Sequence, residues 1–185
     1  MTDKMALNGN LRQTQRFITT HNEEGKAVVD TTIDSDAPFY ALPNGDAHFA
    51  LGYATKQFPA DLSKDVSSYQ SFLSDAPGLS VSTGTVLRYV DMCPGHMSPM
   101  HRTVSLDYGV VLEGEVELIL DSGDKRVMKR GDVCVQRATM HAWRNCSETE
   151  WARMLYVLLP STKPVVGDKE LGEDYGNMVG VKASE

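Results

Sequence analysis

The sequence predicts an all-β fold, a barrel or sandwich with an N-terminal β arm and a loop-rich C-terminal tail. Between residues 81 and 160, short runs rich in Val, Leu and Tyr are separated by turn signals about every 8–12 residues. These runs do not alternate with helical patterns, which disfavours a Rossmann-type sheet. The 185 residues suffice for one domain with a sizeable core.

The N-terminal arm, residues 1–80, has the weaker strand signals. Short β-prone runs flank a turn, and a later segment has apolar residues only every few positions. The predicted elements are strands at 16–20, 26–30 and 48–53, a turn at 22–25, and a loop or one short helix within 59–78.

The barrel region, residues 81–160, has stronger signals. The run 115–120 alternates polar and apolar residues at first, which is typical of a strand with one buried face. The sequence at 121–124 is a hairpin turn signal. After residue 160, the Gly-rich and Pro-containing tail 161–185 predicts a loop that wraps the barrel or a partner. The predicted strands are 85–90, 108–113, 115–120, 125–129, 133–136, 140–145 and 152–159.

Composition disfavours several classes of protein. The formal net charge is −7, and such a surface repels nucleic acids and anionic membranes, so neither is an expected partner. No stretch approaches the ~20 apolar residues of a membrane span, and the first residues lack a signal-peptide core. The cysteines Cys93, Cys134 and Cys146 are odd in number and lack metal-finger spacing. We therefore expect reduced thiols and a cytoplasmic protein.

Two polar clusters interrupt the apolar barrel sequence. If residues 101–107 are extended, His101, Thr103, Ser105 and Asp107 lie on one face of the strand. By the same alternation, a second cluster shares a face. Its members are Thr139, His141, Trp143 and Asn145.

The first cluster resembles the first motif of the cupin superfamily. Gly95 ends a Pro-Gly pair that is followed by five residues and His101. Thr103 stands where the family has a second His, and Asp107 stands at the Glu position. Six residues then separate Asp107 from Gly114, as in the family motif.

The second cluster resembles the second cupin motif. Gly131 begins this motif, and His141, three residues and Asn145 close it. The residue sequences of both motifs resemble those of small, single-domain cupins from bacteria and fungal biosynthetic gene clusters. The resemblance implies a double-stranded β-helix, or jelly-roll barrel, with both clusters inside it.

The resemblance also implies a metal site, because many cupins hold a divalent metal with three His and one Glu. The matching residues here are His101, Asp107 and His141, which would form a facial triad with open coordination sites. Iron(II) is the first expected cofactor, followed by manganese, nickel or zinc. In the competing interpretation, His141 and Asp107 act as an acid/base pair without metal.

Other residues are candidates for binding the substrate. Arg88 and Arg137 suit a carboxylate or phenolate oxyanion. Thr103 replaces a metal ligand, and Trp143 would form an aromatic cavity wall or a core contact. His96 lies in the loop that enters the first motif and is interpreted as a solvated loop residue, with an extra ligand or base over the cavity as the alternative.

We therefore expect a small-molecule enzyme of secondary metabolism that acts on an aromatic or polyketide-like substrate. Decarboxylation, dehydration and oxidation all fit the same centre. The alternatives are a metal-free cyclase or isomerase, and a ligand-binding cupin without turnover. Small cupins commonly dimerise, so a homodimer is the expected assembly, with the arm adding strands to the barrel or crossing to the partner.

Overall fold

A computed structural model describes residue 9 and residues 11–184. The prediction that the first residues contain no signal peptide falls in part on residues 1–8 and 10. These residues lie outside the described part of the chain. Short antiparallel strands dominate, with one helix among the described residues. The elements are β1 (Thr19–His21), β2 (Ala27–Val29), β3 (Phe39–Ala41), β4 (Ala47–Ala54), α1 (Asp65–Ser74), β5 (Val86–Met92), β6 (Ser105–Glu113), β7 (Glu115–Leu120), β8 (Lys125–Lys129), β9 (Val133–Arg137), β10 (His141–Asn145), β11 (Ala152–Pro160), β12 (Val165–Val166) and β13 (Lys169–Glu170).

Two sheets form the walls of the barrel. The larger sheet has the order β3-β4-β5-β11-β6-β9, and the smaller has the order β10-β7-β8. A core cluster takes side chains from both sheets, including Met154 of β11, Val116 of β7 and Trp143 of β10. Burial of these apolar side chains holds the sheets face to face, as expected for a sandwich or barrel. The predicted all-β cupin fold is therefore confirmed.

The arm and the tail both pack on the barrel. Strands β3 and β4 of the arm extend the larger sheet beyond β5. Helix α1 buries Tyr69 and Phe72 against that sheet, and the Tyr69 hydroxyl donates to the Leu51 carbonyl at 2.7 Å. The predicted turn at 22–25 joins β1 to β2, where the Asn22 side chain accepts two backbone N–H bonds. Homodimerisation stays a prediction.

Two strand groups were not predicted from the sequence. Strand β3 pairs with β4, and the tail contains the short hairpin β12-β13. Cys93, Cys134 and Cys146 are free thiols, as expected. Of the helical segments within residues 9 and 11–184, none has the length and apolar character needed to cross a membrane.

Asn145 fixes the end of β10, and with it the strand that holds His141. The Asn145 side chain is fully buried. Its amide donates to the carbonyls of Met92, Cys93 and Glu150 at 2.8–3.1 Å, and its Oδ1 accepts from the Ser147 N–H. One side chain thus hydrogen-bonds four backbone groups, of which the Cys93 carbonyl also accepts from the His96 N–H.

Replacing Asn145 with Ala is expected to lower the free energy of unfolding by about 2–4 kcal/mol, because buried carbonyls would be left without donors. Urea denaturation of the wild type and the variant measures this loss. Asn22→Ala is the matched control, since Asn22 makes its two bonds in an exposed turn and should cost about 1 kcal/mol or less. Equal losses in both variants would contradict the role of Asn145.

Candidate functional site

A cavity of about 390 Å³ lies within the barrel and is lined mostly by apolar side chains. This volume falls in the range of small-molecule sites. Its polar lining includes His101, Asp107, His141 and Arg88. The structure therefore brings together most of the side chains that the two sequence clusters nominated.

His101 and His141 form a directly opposed pair. Each backbone N–H donates to the other residue's carbonyl at 2.9 Å, which makes a two-residue antiparallel bridge. Opposed residues of such a bridge project to the same side. The imidazole rings accordingly lie with their centroids 4.3 Å apart, and both side chains are buried. Residues forty positions apart are thus held as one unit.

The hydrogen bonds of the two rings define their protonation. Nδ1 of His101 lies 2.8 Å from the Pro99 carbonyl, and Nδ1 of His141 lies 2.9 Å from the Thr139 carbonyl. A carbonyl only accepts, so each Nδ1 carries the proton and each Nε2 keeps its lone pair. Burial lowers the pKa of His101, and burial together with His101 lowers the pKa of His141 to about 3. Both rings are therefore neutral at pH 7.

Asp107 is a buried carboxyl group, and no cationic side chain of the described residues pairs with it. Ser105 donates to Thr103 at 2.8 Å, and Thr103 makes a long contact of 3.4 Å to Asp107 Oδ2. Asp107 Oδ1 is buried and has no hydrogen-bond partner among the described residues. Burial raises the pKa of Asp107 to about 6, against smaller lowering effects of the Ser105 and Thr103 hydroxyls. The carboxyl group consequently exchanges protons close to neutral pH.

A metal site of the kind expected from the sequence needs several His, Cys, Asp or Glu side chains that converge on one point. Within residues 9 and 11–184, no three His, Cys, Asp or Glu side chains form a group that could hold a metal ion. The predicted triad of His101, Asp107 and His141 is therefore not assembled as three ligands of one site, although the two imidazoles are adjacent. These residues do not fit the expected three-ligand centre, and the cofactor stays a prediction.

The two arginines predicted to bind substrate have different positions. Arg88 is buried and lines the cavity. Arg137 is exposed, so its predicted place in the cavity is wrong. The preceding residue, Gln136, pairs with Asp107 across β9 and β6 and lines the cavity instead. Alternation along β9 then directs Arg137 to the outer face.

The remaining predictions concern Trp143, Thr103 and His96. Trp143 lines the cavity and also belongs to the core, with its ring edge-on to His141 at 5.5 Å. Thr103 is buried and lines the cavity. His96 also lines it, with Nδ1 3.3 Å from Asp46 Oδ2, so the prediction of a solvated loop residue is wrong.

Sequence reasoning missed Tyr156, which lies on β11 between β5 and β6. Its side chain lines the cavity, and burial raises its pKa well above the ordinary value, so the phenol is neutral. The hydroxyl donates to Met154 Sδ at 3.0 Å, which is a weak acceptor. Tyr156 sits in an apolar run, and no signal in the sequence separates it from core residues.

Comparisons with known proteins agree with this architecture. The Cupin domain family matches residues 88–158. Phomopsin biosynthesis cluster protein C' of Diaporthe leptostromiformis is 50% identical over 163 residues, covering 87% of this chain and 85% of that protein. Cupin-domain-containing oxidoreductase virC of Hypocrea virens is 43% identical over 165 residues, covering 88% of this chain and 84% of that protein.

A solved structure shows the same fold. The cupin domain of Schizosaccharomyces pombe Cnp3 superposes with a TM-score of 0.50, covering 81% of this chain and 90% of that one. The sequences are only 14% identical, so this likeness concerns the fold alone.

Proposed function

Because the chain belongs to the cupin family, we propose that it is an enzyme of secondary metabolism that moves a proton on a small ketone bound inside the barrel. The names of its relatives support a role in secondary metabolism, since they include a phomopsin biosynthesis cluster protein and a cupin-domain-containing oxidoreductase. The observation that carries the proposal is the buried carboxyl group of Asp107, which faces a small-molecule cavity with one oxygen unpaired.

Asp107 is the proton donor and acceptor in this proposal. A general acid or base works best when both of its forms are populated at the working pH. Asp107 meets this condition, because its pKa of about 6 lies near neutrality. The sequence had suggested His141 for this role, but a ring with a pKa of about 3 is too weak a base for it. As a carboxylate, Asp107 takes a proton from the carbon beside the carbonyl, and it later returns that proton.

Tyr156 and the two imidazoles orient the substrate. The neutral Tyr156 hydroxyl can exchange its weak bond to Met154 for a stronger one to the substrate carbonyl, where negative charge develops. The Nε2 lone pair of either His101 or His141 accepts the hydrogen bond that a substrate hydroxyl donates. Enolisation of this kind is the first step of isomerisation, of dehydration of a β-hydroxy ketone, and of aldol-type cyclisation.

Exchange of hydrogen for deuterium tests this function without knowledge of the natural substrate. We expect the purified protein in D2O to accelerate deuterium incorporation beside the carbonyl of 4-oxo-4-phenylbutanoate and of butyrophenone, followed by NMR. His101→Leu together with His141→Leu should slow turnover of hydroxylated ketones by about 10- to 100-fold, since both acceptor nitrogens are lost. The exposed-turn variant Asp121→Asn is the control and should match the wild type.

Oxidation is the second candidate function, favoured by the relatives named as oxidoreductases. Metal analysis of the protein, with and without the two His substitutions, separates the candidates. Stoichiometric metal that is lost in the double variant, together with products lacking two hydrogens, would favour a metal-dependent oxidoreductase. No exchange of either ketone above the uncatalysed rate would contradict the proton-transfer proposal.

A further inference from the structure

Arg88 is a buried guanidinium group with no acidic partner among the residues that the structure describes. Its side chain is only 4% exposed, and it lines the cavity. One N–H group donates to the Gly78 carbonyl at 2.8 Å, and the guanidinium stacks over the Phe49 ring at 5.5 Å. Nε is buried and has no hydrogen-bond partner in the described part of the chain. Burying a cation in this way is costly unless an anion neutralises it.

Arg153 is another buried arginine of this protein, and its ion pairing can be compared with that of Arg88. It is 3% exposed, similar to Arg88, and it forms a two-pronged ion pair with Asp91 at 2.5 and 2.6 Å. No Asp or Glu among residues 9 and 11–184 forms such a pair with Arg88. The paired arginine does not line the cavity, whereas the unpaired one does. The missing counter-charge is therefore expected from a molecule in the cavity.

We infer that Arg88 binds a carboxylate group of the substrate, which makes the substrate a keto acid rather than a neutral ketone. Guanidinium N–H groups form a planar fork that matches a carboxylate, and such bonds are stronger than neutral ones. The inference rests on the proposed function, because it describes how the same cavity selects its substrate.

Strand pairing places the two polar ends of the substrate on one wall. Arg88 pairs with Tyr156 across β5 and β11, and Asp107 pairs with Leu158 across β11 and β6. Arg88 and Asp107 are thus two strands apart, roughly 10 Å across the sheet, and two residues apart along it. Between them the wall presents Tyr156 and Leu158 to the cavity. A carboxylate at Arg88 and a reacting carbon at Asp107 would therefore contact the same wall of the cavity, beside Tyr156 and Leu158.

Binding measurements test this inference independently of turnover. Isothermal titration calorimetry compares 4-oxo-4-phenylbutanoate with its uncharged primary amide at pH 8. We expect the wild type to bind the carboxylate about 10- to 100-fold more tightly than the amide. Arg88→Met should remove this preference by weakening binding of the carboxylate much more than binding of the amide, and Arg88→Lys should keep part of it. Arg126→Met, which removes an exposed charge, is the control and should keep the full preference.

Equal affinity of the wild type for the acid and the amide would overturn the inference, as would a preference that survives in Arg88→Met. If Arg88→Met fails to fold, the wild-type ratio and the Arg88→Lys variant decide the question. A carboxylate preference that depends on Arg88, found without any deuterium exchange, would support this inference while contradicting the proposed catalysis. Deuterium exchange without a carboxylate preference would do the reverse.

Discussion

Replacing Asp107 with Asn is expected to lower the rate of deuterium exchange into a bound ketone by about 100- to 10,000-fold, the usual contribution of a general acid or base. Asn keeps the shape of the side chain but neither takes up nor releases a proton near neutral pH. Initial exchange rates of 4-oxo-4-phenylbutanoate in D2O measure the loss. Calorimetry of the same ligand should show binding within about threefold of the wild type, because Asp107 is not the carboxylate's partner.

The same substitution should change stability in a pH-dependent way. The pKa of Asp107 rises from 3.8 to about 6 on folding, so folding takes up a proton between these pH values. Wild-type stability should therefore fall as the pH rises through that window. At about 1.4 kcal/mol per pH unit, the cost of the ionised group above pH 6 is about 3 kcal/mol. Asp107→Asn escapes this cost.

Urea denaturation at pH 4 and pH 8 measures the effect. Relative to the wild type, the free energy of unfolding of Asp107→Asn should be about 2–3 kcal/mol higher at pH 8 than at pH 4. Asp121→Asn, in an exposed turn, should show no such difference. A variant that loses activity without this change in pH dependence would indicate a carboxylate stabilised in the folded state. The proposed role as a proton donor would then be wrong.

Replacing Asp91 with Ala is expected to lower the free energy of unfolding by about 3–5 kcal/mol, because it leaves the Arg153 guanidinium buried without a counter-charge. Asp91 and Arg153 are 1% and 3% exposed and share two hydrogen bonds. Arg153 also donates to Thr14 Oγ1 at 2.5 Å and to the Arg12 carbonyl at 2.8 Å. The pair therefore fastens the N-terminal arm to β5 and β11.

A double substitution tests this role. Asp91→Leu combined with Arg153→Met removes both charges and should recover most of the loss seen in Asp91→Ala, because apolar side chains tolerate the site better than one unpaired ion. Limited proteolysis should cleave residues 11–18 faster in Asp91→Ala than in the double variant. A loss below about 1 kcal/mol in Asp91→Ala would show that the pair behaves like an exposed one.

The sequence predicted the meeting of His101 and His141, because the two cupin motifs place them in one barrel. Alternation also predicted that His101, Thr103, Ser105 and Asp107 share a face, although a surface strand would show the same pattern. The cupin resemblance placed this face inside the barrel, and all four residues are buried. The distances between segments depend on sheet pairing, so the sequence could not show whether three side chains converge on a metal.

Arg137 was proposed as a binding residue for the chemistry of its side chain, which does not say on which face it lies. Ala138, between Arg137 and His141, adopts a left-handed conformation, with φ of 49°. Odd-numbered residues such as His141 face inward on β10, but on β9 the even-numbered Gln136 faces inward and Arg137 faces outward. Tyr156 and strand β3 were missed for a different reason, since their positions are decided by partners far away in the sequence. Local patterns cannot supply such tertiary information.

The state of Asp107 in the folded protein tests the central claim most directly. Carbon-13 NMR of protein labelled at the Asp side-chain carboxyl carbon follows each carboxyl group from pH 3 to pH 9, and Asp107→Asn identifies the signal. We expect a midpoint of about 6 for Asp107, well above the value of ~3.9 that is usual for an Asp side chain. A midpoint at or below 4 for Asp107 would show an ordinary, stabilised carboxylate and would contradict its role in proton transfer.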